Sequence, residues 1–377
     1  MRVTEVDAIP LAHELDEGRS FGHARGLTSR RSCVLVRAET ADGTVGWGEA
    51  LATPRTTAAA VDEVLAPMVE GIDPYEVETL VERTHAEAYN VAGGPVLQSA
   101  LSAVDVALWD IIGKSVDEPV YRLLGGGDAD HVVPYASTMY ITEWEEDPAD
   151  PIRDAVDEGF TAAKLKIGRG VEDDRRRVET ARNLLGDDAH LMVDYNGNYR
   201  LKQAIRSVEA LEPYDLTWIE EPVPPEDYTG LRKLTDRVDV PVATGESHFG
   251  RFDYGRLIRD HAVDIVQPDL GRAGGLSESR FLAKLATTEN VAVYPHVWNG
   301  GVGVAAALQF AASLPSYPHN DNLPDPFLFE FDRSENPLRE ELITEPFDPS
   351  GGTLDVPQRP GLGVEVDEAA VERYRVD

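Results

Sequence analysis

The sequence has little cysteine and little basic charge, and each shortage excludes a class of protein. Its 377 residues include one cysteine, Cys33, so neither a disulfide framework nor a cysteine-based zinc site can form within one chain. Lysine and arginine number 35 against 68 aspartates and glutamates, which gives a formal net charge of −33. Because binding to a phosphate backbone draws on clustered Lys and Arg, we expect no nucleic-acid partner.

Long apolar runs are also missing. The most apolar segment, residues 302–314, is too short and too interrupted by Gly and Gln to span a bilayer, and the first residues lack the apolar core of a signal peptide. We therefore expect a cytoplasmic protein with no membrane partner. The acidic excess is typical of halophilic adaptation, because salt screens repulsion among carboxylates. An ordinary acidic protein is the alternative.

The N-terminal third is predicted to be an α+β unit. Two apolar stretches, residues 34–38 and 45–49, flank an Asp42-Gly43 turn, which is a hairpin signal. Apolar residues then recur at helical spacing over residues 96–124, up to a run of three glycines. We expect residues 1–126 to form a capping domain whose loops select the substrate.

Residues 127–347 repeat one unit, in which a short apolar run ends in polar residues and a helical stretch follows. Residues at the ends of consecutive runs lie 23 to 30 positions apart, about one βα unit. Eight such runs predict a closed parallel barrel, with the active site at the C-terminal strand ends. Residues 348–377 are predicted to be a tail that returns to the capping domain. The runs are residues 132–135, 163–167, 191–194, 217–220, 242–246, 265–269, 291–296 and 327–330.

Three carboxylates end consecutive predicted strands, namely Asp194, Glu220 and Glu246. Brought together, they cannot all stay ionised without a compensating cation. Oxygen-only ligands favour Mg²⁺, with Mn²⁺ as an alternative, and they leave positions open for a substrate carboxylate. Any one acid alone is typical of a helix cap or a surface group, but three in register predict a metal site.

Two lysines and a histidine are the candidate bases. Lys164 and Lys166 are two of only six lysines and occupy alternate positions of one strand, so both side chains point to the same face. We expect burial and mutual repulsion to lower their pKa values, as a lysine base requires. His296 ends the seventh run and Asp269 the sixth, so a hydrogen bond that orients the imidazole is expected. Lys166 and His296 would then approach opposite faces of a substrate.

This arrangement suits removal of a proton alpha to a carboxylate. The metal and Lys164 would hold the carboxylate, whose oxygens receive charge as the enediolate forms. Glu330, at the end of the eighth run, could donate a hydrogen bond to it if its pKa is raised, and Asn196 could add a contact. Ordinary polar residues at the barrel rim are the alternative for both.

These motifs resemble those of the mandelate racemase subgroup of the enolase superfamily, over nearly the full length. The resemblance implies a modified TIM barrel, (β/α)₇β, with an α+β N-terminal capping domain. It also implies Mg²⁺ on the three carboxylates, bases Lys166 and His296, and Asp269 behind His296, since a Lys or His base with Mg²⁺ is the general chemistry of this superfamily. The motifs are Lys164-Leu165-Lys166, Val193-Asp194-Tyr195-Asn196, Trp218-Ile219-Glu220-Glu221-Pro222, Thr244-Gly245-Glu246, Gln267-Pro268-Asp269, Pro295-His296-Val297-Trp298 and residues 102–110.

Within this subgroup the sequence looks most like acid-sugar dehydratases and galactarolactone cycloisomerase-type members. We expect a homo-oligomer that acts on a sugar acid or its lactone by β-elimination. Racemisation or epimerisation of a 2-hydroxy acid is the alternative reaction, and a non-catalytic metal or sugar-acid binding protein is an alternative of another class. Loops at residues 15–28 and 50–56 are predicted to close over the barrel. The candidate substrate contacts are Lys164, Asn196, His23, Arg25 and Trp298.

Overall fold

The computed structural model describes residues 1–127, 130–143, 149–314 and 327–376. Its N-terminal part is built on a three-stranded antiparallel sheet in which the predicted hairpin at Asp42-Gly43 is present. The elements of this part are strands β1 (Val3–Glu14), β2 (Phe21–His23), β3 (Gly26–Thr28), β4 (Arg30–Thr40) and β5 (Val45–Ala50), and helices α1 (Pro54–Ala60), α2 (Ala66–Val69), α3 (Val77–Glu87), α4 (Pro95–Val116) and α5 (Val120–Leu123).

Helix α4 packs directly on strand β5. A side-chain carbon at Gly48 would lie 1.9 Å from the carbonyl oxygen of Ala103, so only glycine lets the helix come this close. The single helix predicted over residues 96–124 is instead two helices. Asp117 adopts a left-handed conformation, with φ of 60°, that ends α4, and Pro119 precedes α5.

Helix α4 is long and apolar enough, by length and composition alone, to cross a membrane, and it is the one helix of the described ranges that meets this criterion. Within the protein 94% of its apolar window is buried. It lies between β5 and the helix Gly275–Thr288. Its apolar surface therefore joins the N-terminal part to the rest of the molecule.

The remaining chain alternates strands and helices, and each of the eight predicted apolar runs overlaps one parallel strand. The barrel strands are β6 (His131–Thr138), β8 (Ala162–Lys166), β9 (His190–Asp194), β10 (Trp218–Glu220), β11 (Val242–Thr244), β12 (Ile265–Val266), β13 (Ala292–Val293) and β14 (Leu328–Asp332), with the short β7 (Ile141–Thr142) after the first. The helices are α6 (Asp150–Asp157), α7 (Val171–Leu185), α8 (Leu201–Leu211), α9 (Tyr228–Thr235), α10 (Gly250–Arg259), α11 (Gly275–Thr288) and α12 (Gly301–Ser313).

The sheet order is β13-β12-β11-β10-β9-β8-β6-β14, so the eighth barrel strand lies beside the first. In the described ranges no backbone ladder joins β13 to β14; the stacked rings of Tyr294 and Phe327, 4.7 Å apart, lie on that side. Tyr135, Met192 and Trp218 fill the interior. The capped, TIM-barrel-type α/β fold expected from the sequence is confirmed.

Strand register brings the candidate residues into one row. Lys166 pairs with Asp194 across β8 and β9, and Asp194 pairs with Glu220 across β9 and β10. All three are the last residues of their strands, so their side chains meet at the same end of the barrel.

The C-terminal segment contains α13 (Pro337–Glu341), β15 (Leu354–Asp355) and α14 (Glu368–Tyr374). Strand β15 pairs with barrel strand β6, whereas Val376 donates a backbone hydrogen bond to Pro10 of β1 at 3.0 Å. The segment therefore contacts both the barrel and the N-terminal sheet. The division at residues 126 and 347 stays a prediction.

Candidate active site

Asp194, Glu220 and Glu246 form one cluster at the mouth of the barrel. Each offers a carboxylate oxygen, and these oxygens all lie within 4.8 Å of one another. Asp194 and Glu220 are buried, and Glu246, which lies two residues after β11, is half-buried. The neighbouring Gly245 is required for packing, since a side-chain carbon there would lie 2.5 Å from the carbonyl oxygen of Gln267.

The chemistry of this cluster fits a hard divalent cation. Burial raises the pKa of Glu220 to about 7 with the help of the Asp194 charge, although the Lys164 amine lowers it, because crowded carboxylates disfavour one another's ionised form. The buried Asn196 carbonyl oxygen has no hydrogen-bond partner in the described ranges, and its amide nitrogen lies 3.5 Å from Glu246 Oε1. An oxygen-only set with an unsatisfied acceptor beside it suits Mg²⁺ or Mn²⁺ better than zinc.

Lys164 and Lys166 point into the same cluster, as period-two geometry predicted. Lys164 Nζ donates to Glu220 Oε1 at 2.6 Å and lies 2.8 Å from Glu330 Oε1. Lys166 Nζ donates to Asp194 Oδ2 at 2.5 Å. Both amines therefore contact the candidate metal ligands or their neighbours.

The expected lowering of the two lysine pKa values is wrong for this structure. Burial and the charge of Lys164 lower the pKa of Lys166, but the adjoining Asp194 carboxylate raises it by more, so the net shift is upward. In the same way Glu220 and Glu330 outweigh burial and raise the pKa of Lys164. The repulsion between the two lysines could be expected from their spacing on one strand. The carboxylates that outweigh it lie on other strands, so their effect could not be predicted from that spacing.

The predicted contact between His296 and Asp269 is present. His296 Nδ1 lies 2.7 Å from Asp269 Oδ2, and an isolated parallel bridge joins the two residues beyond β12 and β13. The other ring nitrogen, Nε2, lies 3.1 Å from Glu246 Oε2. Burial lowers the pKa of His296, but Glu246, Glu330 and Asp269 together raise it well above its usual value, because all three favour the charged ring.

Glu330 does not have the raised pKa that donation would need. Burial raises the pKa of this carboxyl, but Lys164 and His296 together lower it by more, so the net shift is downward and the group stays ionised. Its Oε2 accepts a hydrogen bond from the backbone nitrogen of Val297 at 2.9 Å. In this structure Glu330 is therefore an acceptor that holds Lys164, and its contact with substrate stays a prediction.

The two candidate bases flank the carboxylates from opposite sides. Lys166 ends the second barrel strand and contacts Asp194, whereas His296 follows the seventh and contacts Glu246. The strands that carry the three carboxylates lie between them in sheet order. A molecule held at the cluster would have an amine on one side and an imidazole on the other.

The predicted substrate contacts of the N-terminal part lie above this mouth. Strands β2 and β3 form a hairpin, and β2 also pairs with β7 of the barrel. His23, on β2, has its pKa lowered by partial burial and by the nearby charge of Lys166. Arg25 Nη1 would lie 3.2 Å from a side-chain carbon at Gly197, next to the buried Asn196. Both residues are thus brought to the site, and their roles stay predictions.

Trp298 belongs to a buried polar cluster that the sequence motifs did not predict. Its ring lies 3.6 Å below the guanidinium carbon of Arg31, and its Nε1 donates to Tyr140 Oη at 3.1 Å. Asp332 joins the other members, since it accepts from Arg31 Nη2 at 2.6 Å and from Tyr140 Oη at 2.7 Å. The Tyr140 ring centre lies 5.7 Å from Lys166 Nζ. Alternate residues of a strand point to the same face, so the position of Asp332, two residues after Glu330 on β14, could have been predicted from the sequence.

Comparison with known proteins agrees with this geometry. Residues 11–125 match the family model of the mandelate racemase / muconate lactonizing enzyme N-terminal domain, and residues 147–370 match the enolase C-terminal domain-like model. The chain belongs to the mandelate racemase / muconate lactonizing enzyme family. The resemblance drawn from its motifs is thereby confirmed, and with it the assignment of the chain to a family of enzymes.

Named relatives within this family act on sugar acids or their lactones. The chain is 37% identical to the D-galactarolactone cycloisomerase of Agrobacterium fabrum, over 100% of this chain and 99% of the relative. It is 32% identical to the arabinonate dehydratase of Saccharolobus solfataricus, over 99% of each. Among solved structures, the 3,6-anhydro-D-galactonate cycloisomerase of Zobellia galactanivorans aligns with a TM-score of 0.89 at 34% identity and covers 100% of both chains.

Proposed function

We propose that this family member is a Mg²⁺-dependent enzyme that removes the proton alpha to the carboxylate of an acid sugar or its lactone and then expels a β-oxygen. The observation that carries the proposal is the placement of Lys166 and His296 on opposite sides of the carboxylate cluster Asp194, Glu220 and Glu246. The names of the relatives above support the substrate class.

The three carboxylates would hold the ion, with Asn196 beside them. Bound there, Mg²⁺ supplies positive charge that offsets the negative charge developing on the substrate carboxylate. Lys164 is held by Glu220 and Glu330 and carries a full charge, so it would stabilise the same carboxylate oxygens.

Proton removal falls to whichever base faces the alpha hydrogen. Lys166 must first give its proton up, which the separation of its amine from Asp194 would favour, because that carboxylate is what raises its pKa. His296 must be neutral to act as a base, and charged to act as an acid. Asp269 fixes the ring orientation through Nδ1 in either case.

Loss of the β-oxygen completes the reaction. The electron pair of the broken C–H bond first moves onto the carboxylate, giving an enediolate, and then forms the C=C bond as the C–O bond breaks. A departing hydroxyl takes a proton from the acid opposite the first base and leaves as water, whereas a lactone ring oxygen leaves as part of a carboxylate. If that oxygen leaves as water the enzyme is a dehydratase, and if it belongs to a lactone ring the enzyme is a cycloisomerase. Contacts from His23, Arg25 and Trp298 would then select the sugar.

Racemisation or epimerisation is the second candidate, because two opposed bases also permit removal on one face and return on the other. Incubation of D-galactarolactone and D-arabinonate in D₂O with Mg²⁺ separates the reactions. Elimination yields product that has lost the β C–O bond. Deuterium at the alpha carbon of otherwise unchanged acid would refute elimination and establish proton transfer.

Variants test the two bases. Lys166→Ala and His296→Asn should each lower turnover by about 10²-fold or more, the usual contribution of a general acid or base. The exposed residues Lys202 and His261 provide matched controls, as Lys202→Ala and His261→Asn should leave turnover unchanged. Binding of the acids without turnover by the wild type would instead support a non-catalytic binding protein.

A cytoplasmic location, a homo-oligomeric state and adaptation to high salt belong to this proposal as expectations from the sequence. Light scattering coupled to gel filtration measures the assembly state directly. A monomer at micromolar concentration would contradict the expected oligomer.

A further inference from the structure

Arg177 is a buried arginine that the chemistry above does not use. It lies on α7 with 2% of its surface exposed. Its Nε donates to the backbone carbonyl oxygen of Lys166 at 2.9 Å. Its Nη2 donates to the carbonyl of Met139 and lies 3.4 Å from that of Tyr140. One guanidinium therefore joins the ends of the first two barrel strands.

The peptide that Arg177 holds after β6 is a strained one. Met139 has φ of 46°, in the left-handed region that a side chain other than glycine adopts at a cost of about 1–2 kcal/mol. Such a conformation persists when its surroundings fix it, and the guanidinium binds the Met139 carbonyl. The next residue, Tyr140, turns its ring toward Lys166 Nζ and its hydroxyl toward Asp332.

We propose that Arg177 is a positioning residue for Lys166, an inference that rests on the proposed function of Lys166 as a base. Its planar, multidentate guanidinium fixes the main chain of the base and, through Met139 and Tyr140, the aromatic ring beside the amine. A point-charge ammonium cannot make these divergent hydrogen bonds at once. Loss of the guanidinium would let the two strand ends move apart and would misplace Lys166 relative to the carboxylates.

The same helix provides a matched control. Arg182 is also buried and also donates to backbone carbonyls, those of Ala189 at 2.7 Å and of Tyr214 and Asp215 at 2.9 Å. These carbonyls precede β9 and β10, at the end of the barrel opposite the site. In a barrel of this type that end serves stability, whereas the C-terminal end serves catalysis. The two arginines therefore share a structural role but differ in distance from the reaction.

The test compares Arg177→Lys with Arg182→Lys, using D-galactarolactone and D-arabinonate as substrates. Arg177→Lys should lower kcat by about 10- to 100-fold and leave KM within a few-fold, since displacement of a catalytic group by about 1 Å has that effect. Arg182→Lys should leave kcat nearly unchanged while it lowers the denaturation midpoint. Guanidinium ion at sub-denaturing concentration should restore part of kcat to Arg177→Ala and none to Arg182→Ala.

A substrate-free measurement keeps this proposal separate from the proposed function. Amide hydrogen exchange, followed by mass spectrometry, should rise in Arg177→Lys at residues 137–143 and 162–168, and in Arg182→Lys at residues 187–191 and 213–217. A wild type inactive on both compounds would defeat the proposed function, and the exchange data would still judge the positioning contact. Unchanged exchange at both strand ends in Arg177→Lys, or an equal loss of kcat in Arg182→Lys, would overturn the inference.

Discussion

Breaking the ion pair between Arg31 and Asp332, which joins two parts of the fold, should destabilise the protein strongly. Arg31 lies on β4 of the N-terminal sheet and Asp332 ends the last barrel strand, and the side chains of both are 2% exposed. Removing one partner of a buried pair leaves an uncompensated charge and costs about 3–5 kcal/mol. The Trp298 ring, whose centre lies 3.6 Å from the guanidinium carbon of Arg31, would still offset part of that charge through a cation–π contact.

For Asp332→Asn we therefore expect the lower end of that range, about 3 kcal/mol, which raises the unfolding equilibrium constant by about 150-fold. Urea titration followed by circular dichroism, at a fixed high KCl concentration, measures the change in unfolding free energy. Glu14→Gln is the matched control, because Glu14 pairs with Arg30 at 3.2 Å in an exposed position and should change stability by less than about 0.5 kcal/mol.

A second variant checks the physical reason. In Arg31→Met with Asp332→Leu, the unpaired charge of Arg31 is absent, and Arg339, which also lies 3.5 Å from Asp332, keeps its ion pair with Glu340 at 2.8 Å, so the double variant should be more stable than Asp332→Asn alone. A loss below about 1 kcal/mol in Asp332→Asn, or a double variant less stable than the single one, would refute the reasoning.

Three further results are expected. EDTA should lower the denaturation midpoint and Mg²⁺ should restore it, since the ion at 100 times its Kd adds about 2.7 kcal/mol to the free energy of unfolding. Glu246→Gln should respond to neither addition, and an unresponsive wild type would contradict a metal site. Burial raises the pKa of Glu49 to about 7 despite hydrogen bonds from the amides of Gly303 and Gly300. Because this folded-state value lies above the unfolded one, the unfolded chain releases its proton first as pH rises, so wild type should lose about 3 kcal/mol relative to Glu49→Gln between about pH 4.5 and 7 in urea titrations; parallel curves would contradict this. Thermal midpoints should rise with KCl toward molar concentration, since the net charge is −33, and a flat response would remove the inference of halophilic adaptation.

Much of the barrel could be predicted because its signals are local. Each apolar run and the polar residue that ends it lie within a few positions, so the repeat located all eight strands and the three carboxylates. Parallel strands bring their C-terminal ends together, and this rule alone predicted that Asp194, Glu220 and Lys166 lie side by side. The Asp269–His296 contact followed from the same rule.

The helix over residues 96–124 shows where a local signal was incomplete. Its apolar spacing continues past Asp117, so periodicity alone joined two helices into one. The left-handed residue and Pro119 that separate them are single-residue features, which a periodic pattern does not register.

The amino-acid sequence by itself determined the fold class, the repeat and the identity of the residues at the mouth, because these depend on spacing along the chain. Only the tertiary structure decided their charge states, since the pKa of Lys166 and that of Glu330 follow from groups on neighbouring strands. It also decided the partners of Arg31 and Arg177, whose contacts lie 301 and 38 residues away. Electrostatic and hydrogen-bond energies depend on distance in space, and that distance is set only when the strands have closed into a barrel.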